Sequence, residues 1–192
     1  MSTPTSRLPE RRRPIRLKAM QTLVLPQGTS QHWLKIDVQN GILRLATLKS
    51  ESQIEATLAL MSPAECGTFR QPRNYQLLIE AVTDVCVEIS QEAQPNLDEE
   101  DFLSQWLFEL YIIRHPSKAD ERLTALIKLL IERFGKRTTE GFRLEFLLSH
   151  HRIAEIIGTT RSTVSRAISR MRSSQIIKID ELKNSLTCQL NI

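Results

Sequence analysis

The chain has 192 residues, 41% of them apolar and 25% charged, with a formal net charge of +4; this length allows one or two domains, and the apolar content allows packed cores, which excludes a disordered chain. No apolar run approaches the roughly 18–20 residues of a membrane-spanning helix, and no apolar stretch follows the amino-terminal arginines as it would in a secretory signal. Three cysteines (Cys66, Cys86 and Cys188) with no CxxC pair argue against a disulfide framework or a thiolate metal site and for a reducing cytoplasm.

Residues 1–18 read as a flexible basic arm. RLPERRRPIRLK (7–18) holds six Lys and Arg against one Glu, and Pro9 and Pro14 discourage regular structure. Such an arm either adds nonspecific phosphate contacts or is simply disordered. Residues 19–95 read as a β-barrel domain. Short apolar runs at 23–25, 33–38, 42–48, 54–61, 75–82 and 85–89 are separated by turn formers, as expected of a small antiparallel barrel or sandwich. Asn40-Gly41 predicts a tight hairpin between two of them.

Acids then accumulate: seven lie between Asp84 and Asp101, without one base. Asp98 to Asp101 suit the first turn of a helix, and residues 96–116 form the predicted dimerisation helix. Its stripe of Leu103, Trp106, Leu110 and Ile113 is the expected seam between two copies. His115-Pro116 closes it.

Residues 117–192 read as a winged helix-turn-helix domain. One helix runs from Asp120 to Phe134, with Leu123, Leu126, Ile127, Leu130, Ile131 and Phe134 in register and Gly135 as its stop; a strand follows over 141–149. Ser149 caps a helix ending at Gly158, and Thr159 or Thr160 caps a second one that buries Val164, Ala167, Ile168 and Met171. The opposite face carries Arg161, Ser162, Ser165, Arg166, Ser169 and Arg170. Between His150 and Arg172 there are five Arg and one Glu. A basic second helix after a glycine turn is the pattern that enters the DNA major groove. Arg can fork onto guanine, and Ser149, Ser165 and Arg170 suit phosphates. Ile176 to Ile179 and Leu186, Cys188, Leu190 flank a polar turn, which predicts a β-hairpin wing whose Lys178 and Lys183 touch phosphates.

Barrel, long helix and winged helix, in this order, resemble the CRP/FNR family of bacterial transcription regulators. The likeness is sharpest in ERLTALIKLLIERFG (121–135), in LSHHRIAEIIGTTRSTVSRAISRMRSSQIIKI (148–179) and in NGILRL (40–45). RFG (133–135), followed by a short loop, a strand and LSHHRIAEIIGTTR (148–161), is similar to the cyanobacterial nitrogen-control branch. The resemblance implies an α+β fold: a cupin-like β-barrel sensor domain, a long dimerisation helix and a carboxy-terminal winged helix-turn-helix. It places base reading on Arg161, Ser162 and Arg166 and phosphate contacts on Thr160 and Thr163. Many relatives carry glutamate where this chain has Ser162, so the half-site need not be theirs. It implies no enzyme but a homodimer on double-stranded DNA, with RNA polymerase as a further partner.

Relatives that bind cyclic nucleotides use a Gly-Glu pair, whereas Gly67 is followed here by Thr68, which disfavours cyclic AMP. Three scattered cysteines disfavour an iron–sulfur cluster, and His32, His115 and Cys66 show no haem-like spacing. Two expectations stay open for the sensor: a small anionic metabolite near Arg70 and Arg73, or no ligand. A partner-sequestering interaction module is the competing function.

Overall fold

A computed structural model describes residues 14–25, 27, 33–49, 54–65, 67–92 and 102–189. Eight strands come first: β1 (Ile15–Leu17), β2 (Thr22–Leu25), β3 (Trp33–Asn40), β4 (Leu43–Lys49), β5 (Ile54–Met61), β6 (Gly67–Arg70), β7 (Gln76–Ala81) and β8 (Val85–Glu92). Helices α1 (Phe102–Ile113) and α2 (Ala119–Phe134) follow, then β9 (Lys136–Thr138), β10 (Gly141–Leu144), α3 (His150–Ile157), α4 (Arg161–Ser173), β11 (Ile177–Asp180) and β12 (Ser185–Cys188).

The first eight strands form two antiparallel sheets, ordered β1-β8-β3-β6 and β2-β7-β4-β5. The expected barrel is therefore a two-sheet jelly roll and not a closed cylinder. Alternation builds its core: β3 buries Leu34, Ile36 and Val38 while Lys35 and Asp37 face outward. Strand β4 is buried on both faces over residues 43–47, and on its outer face Arg44 meets Glu155 of α3.

Local signals found most strands and missed the pairing. Asn40-Gly41 does not close a hairpin: β3 pairs with β8 and β6, and β4 with β5 and β7, so the turn carries the chain from one sheet to the other. Gly41 has φ 82, and a Cβ there would stand 2.1 Å from the Asp84 carbonyl oxygen. The 82–84 corner crosses back beside it, donating from Val82 and Thr83 N–H to the Ile42 carbonyl. The arm also ends earlier than expected. Ile15–Leu17 pair with β8, and Lys18 meets Asp84 at 2.8 Å, so these residues belong to the jelly roll; residues 1–13 of the arm lie outside the described residues.

Helix α1 corrects the predicted seam. Leu103, Trp106, Leu110 and Ile113 are buried inside their own subunit. Trp106 is 1% exposed; its indole lies 6.0 Å from the Phe134 ring, under the Arg133 guanidinium, and donates to Glu65. The stripe is amphipathic, as the spacing predicted, but it satisfies the jelly roll and α2. The exposed apolar residues lie on another side of the helix: Leu107 (44%), Phe108 (63%), Tyr111 (62%) and Ile112 (45%). The acids 98–101 lie outside the described residues.

Helix α2 buries Leu123, Leu126, Ile127, Leu130 and Ile131 of its predicted stripe and leaves Phe134 half-buried, and Gly135 ends it in extended backbone (φ −73), not in the left-handed turn a glycine stop suggests. The expected strand over 141–149 is confined to β10. The third sheet, β11-β12-β10-β9, packs Leu144, Ile177, Leu186 and Cys188 into the same core as α2 and α4; Leu190 lies outside the described residues.

Candidate nucleic-acid interface

Two caps set the geometry of the helix pair. The Ser149 hydroxyl accepts from Arg152 N–H at 3.3 Å and starts α3, while Gly158 closes it in the left-handed conformation (φ 63, ψ 56). Thr160 then starts α4, its hydroxyl accepting from Thr163 N–H at 3.2 Å and lying within 3.0 Å of the Ser162 and Thr163 hydroxyls. These hydroxyls thus serve the helix end before any ligand. Val164, Ala167, Ile168 and Met171 are buried, as predicted.

On the opposite side of α4, Arg161, Ser162 and Arg166 are exposed, and among the described residues neither arginine has an ion-pair partner. Arg170 departs from the expected phosphate set. Its Nε and Nη2 donate to Asp120 of α2 at 3.0 and 2.6 Å, and this pairing raises its pKa above the ordinary arginine value. Ser165 is half-buried in a cleft beside Ile168 and Ile177. Lys178 projects from the wing between Ile177 and Ile179, which turn inward, so alternation aims it at the outer face of the sheet beside Arg143 and Lys183, away from α4.

The arginine count of this segment also misled. Arg152 belongs to an ion cluster against the jelly roll, 2.9 Å from Glu55 and 2.9 Å from Glu80. Burial opposes its charge, but the two carboxylates outweigh that and raise its pKa. Burial likewise pushes the Glu55 carboxyl up, yet its hydrogen bonds and charge contacts with Arg44 and Arg152 hold it below its ordinary value. Sequence reasoning missed Arg44, Glu55, Glu80, Arg114 and Arg122. The only signal was one arginine set among the apolar residues of ILRLATL. Arg114 donates to the Ile156 and Glu155 carbonyls at 2.7 and 2.9 Å, and Arg122 to those of Ile157 and Gly158 at 3.0 and 3.1 Å. They place positive charge where α3 exposes its last carbonyls.

The residues expected near an effector are not gathered into an interior site. Phe69 takes the inward position of β6, which turns Arg70 outward, and Arg73 stands in an exposed turn. Phe102 of α1 packs on Gly67 so closely that a Cβ there would be 2.2 Å from its ring. His32 and Cys66 lie outside the described residues. Among the described residues, no group of three His, Cys, Asp or Glu side chains is placed to hold a metal ion, and no helix is long and apolar enough to cross a membrane.

A jelly roll, a connecting helix and a winged helix-turn-helix with a basic outer face define the class. Residues 121–188 match the family described as the Crp-like helix-turn-helix domain. Over 62 residues the chain is 39% identical to the global nitrogen regulator of Synechocystis sp., a match covering 32% of this chain and 28% of that protein. The regulatory protein CysR of Synechococcus elongatus is 27% identical over 167 residues, 84% of this chain and 78% of that one. Among solved structures, FixK2 of Bradyrhizobium japonicum superposes with a TM-score of 0.69 at 16% identity, over 92% of both chains. A CRP/FNR-family regulator of Thermus thermophilus gives 0.63 at 23% identity, over 93% of both. Residues 121–188 therefore carry a Crp-like helix-turn-helix domain, and over nine-tenths of its length the chain shares the fold of these solved structures.

Proposed function

We propose that this protein is a sequence-specific DNA-binding transcription regulator. It acts as a homodimer, with α4 of each copy in successive major grooves of a pseudo-palindromic promoter site, about 34–36 Å apart. The observation that carries this reading is the pair Arg161 and Arg166: exposed guanidinium groups on one face of a capped helix, without ion-pair partners among the described residues. Arginines held for structure look different, as Arg152 and Arg170 do. The second copy docks on Leu107, Phe108, Tyr111 and Ile112, which form one exposed apolar face on a helix otherwise packed into its own subunit. RNA polymerase and a cytoplasmic location follow from that role, and no resident cofactor is assigned.

A salt titration of binding tests the proposal, with a duplex selected from random sequence and a scrambled control. The selected site is expected to be a two-fold repeat, bound far more tightly than the control, with affinity falling steeply as salt rises. Binding that ignores both sequence and salt would refute it and favour a module that sequesters a protein partner.

A further inference from the structure

Arg44 is the second residue of β4, and its side chain is wholly buried. Leu43 and Leu45 turn toward the opposite sheet, so Arg44 points outward from its own sheet, under α3. A buried guanidinium persists only when it is fully paired. Its partners come from both domains. The sheet supplies the Thr57 hydroxyl at 2.7 Å, Glu80 at 2.8 Å and Glu55; α3 supplies Glu155 at 3.1 Å. Arg152 of α3 reaches back to Glu55 and Glu80, and Thr57 N–H donates to Glu155 at 2.9 Å. None of these residues lies on the exposed face of α4. Only three residues separate the end of α3 from the start of α4, so whatever holds α3 also aims α4.

We infer that Arg44, Glu55, Glu80, Arg152 and Glu155 form a positioning network that fixes the direction of α4 relative to α1, and thereby the half-site spacing two copies accept. The inference rests on the DNA-binding reading for its consequence and on the ion pairs for its mechanism. With 10–10.5 base pairs per turn, one added base pair rotates a half-site by about 35°. A rigidly mounted α4 accepts one spacing, and a loosened one accepts several. The centre of the cluster holds three carboxylates and two guanidiniums, with the half-exposed Arg114 at its edge, 3.9 Å from Glu155. Arg152→Gln leaves Glu155 facing Glu55 and Glu80 with Arg44 alone between them, and repulsion then drives α3 off the sheet. Glu155→Gln leaves a balanced cluster and loosens α3 less. Both substitutions keep the Arg44 pairs within the jelly roll.

Two measurements on the full chain test this. The first is the distance distribution between labels carried by non-natural amino acids at exposed Asp37 and Ser174, with labelled chain diluted in unlabelled chain. The second is affinity for the selected site with its spacer shortened or lengthened by one base pair. Wild type is expected to give one narrow distance and a roughly tenfold or greater preference for one spacing. Arg152→Gln should broaden the distance and reduce that preference below about threefold, with affinity for scrambled DNA little changed; Arg152→Lys should restore both. A narrow distance and an unaltered spacing profile in Arg152→Gln would overturn the inference. Should that variant not fold, the same outcome in Glu155→Gln decides against it. If wild type binds no duplex specifically, the DNA-binding reading falls, and the distance distributions alone judge the network.

Discussion

Arg170 gives two prongs of its guanidinium to Asp120, at 3.0 and 2.6 Å, and the pair fastens the helix expected to read DNA to the helix behind it. Both side chains remain about half exposed, so the pair contributes little to stability. Its effect is on availability: the arginine is engaged before any phosphate arrives. Asp120→Ala should release it. The slope of log affinity against log salt is expected to steepen by about 0.9 per copy, the signature of one more phosphate contact. An unchanged slope would mean Arg170 reaches phosphate with the pair intact, or never does.

Arg161 and Arg166 should behave differently from Arg170. Arg161→Ala and Arg166→Ala are each expected to cost about 1–3 kcal/mol on the selected site and to relax preference at particular base pairs, read by competition among single-base variants. A uniform loss over all sequences would make them phosphate contacts instead.

The two sides of α1 should separate assembly from folding. Phe108→Glu and Tyr111→Glu place charge on the exposed apolar face and should convert the proposed dimer to a folded monomer in sedimentation analysis. Trp106→Ala removes a fully buried indole and should destabilise the chain by about 3–5 kcal/mol. If Phe108→Glu sediments as wild type, the seam lies elsewhere.

Arg44→Met tests the buried cluster through stability. It leaves Glu55, Glu80 and Glu155 facing one another with Arg152 and, at the edge beside Glu155, the half-exposed Arg114 as their remaining cations, and a loss of about 3–5 kcal/mol is expected in denaturant unfolding. A loss below about 1 kcal/mol would mean water enters and replaces the pairing.

The same cluster sets a direction for acid. Arg44 and Arg152 hold the Glu55 carboxyl below its ordinary 4.5 against the upward push of burial. A depressed folded value contributes stability that is fully present above 4.5 and is lost as pH falls through the lower value. Thermal midpoints should therefore be insensitive to this group near neutrality and fall in acid, with a shallower acid fall in Glu55→Gln. Equal falls in wild type and Glu55→Gln would remove Glu55 from the account.

Periodicity made most of the elements legible. The 3.6-residue repeat marked α2, α3 and α4 with their buried residues, and caps at Ser149, Thr160 and Gly158 marked the helix-turn-helix turn. Three short elements escaped: β1, β6 and β9 contain no two consecutive apolar residues to mark them. At α1 the apolar stripe was read correctly and assigned to the wrong neighbour, since spacing says that a face is buried and not what buries it.

What the chain order alone determined is what neighbours in sequence decide: helix, turn, cap and the basic outer face of α4, each set by contacts within about four residues. The partner of each charge was decided only in three dimensions. Arg152 and Arg170 sit in the same basic run as Arg161 and Arg166, yet Glu55, Glu80 and Asp120 take the first two and leave the others exposed. Ion pairing depends on distances of a few ångströms between residues 50 to nearly 100 positions apart, and no local pattern of side chains encodes them.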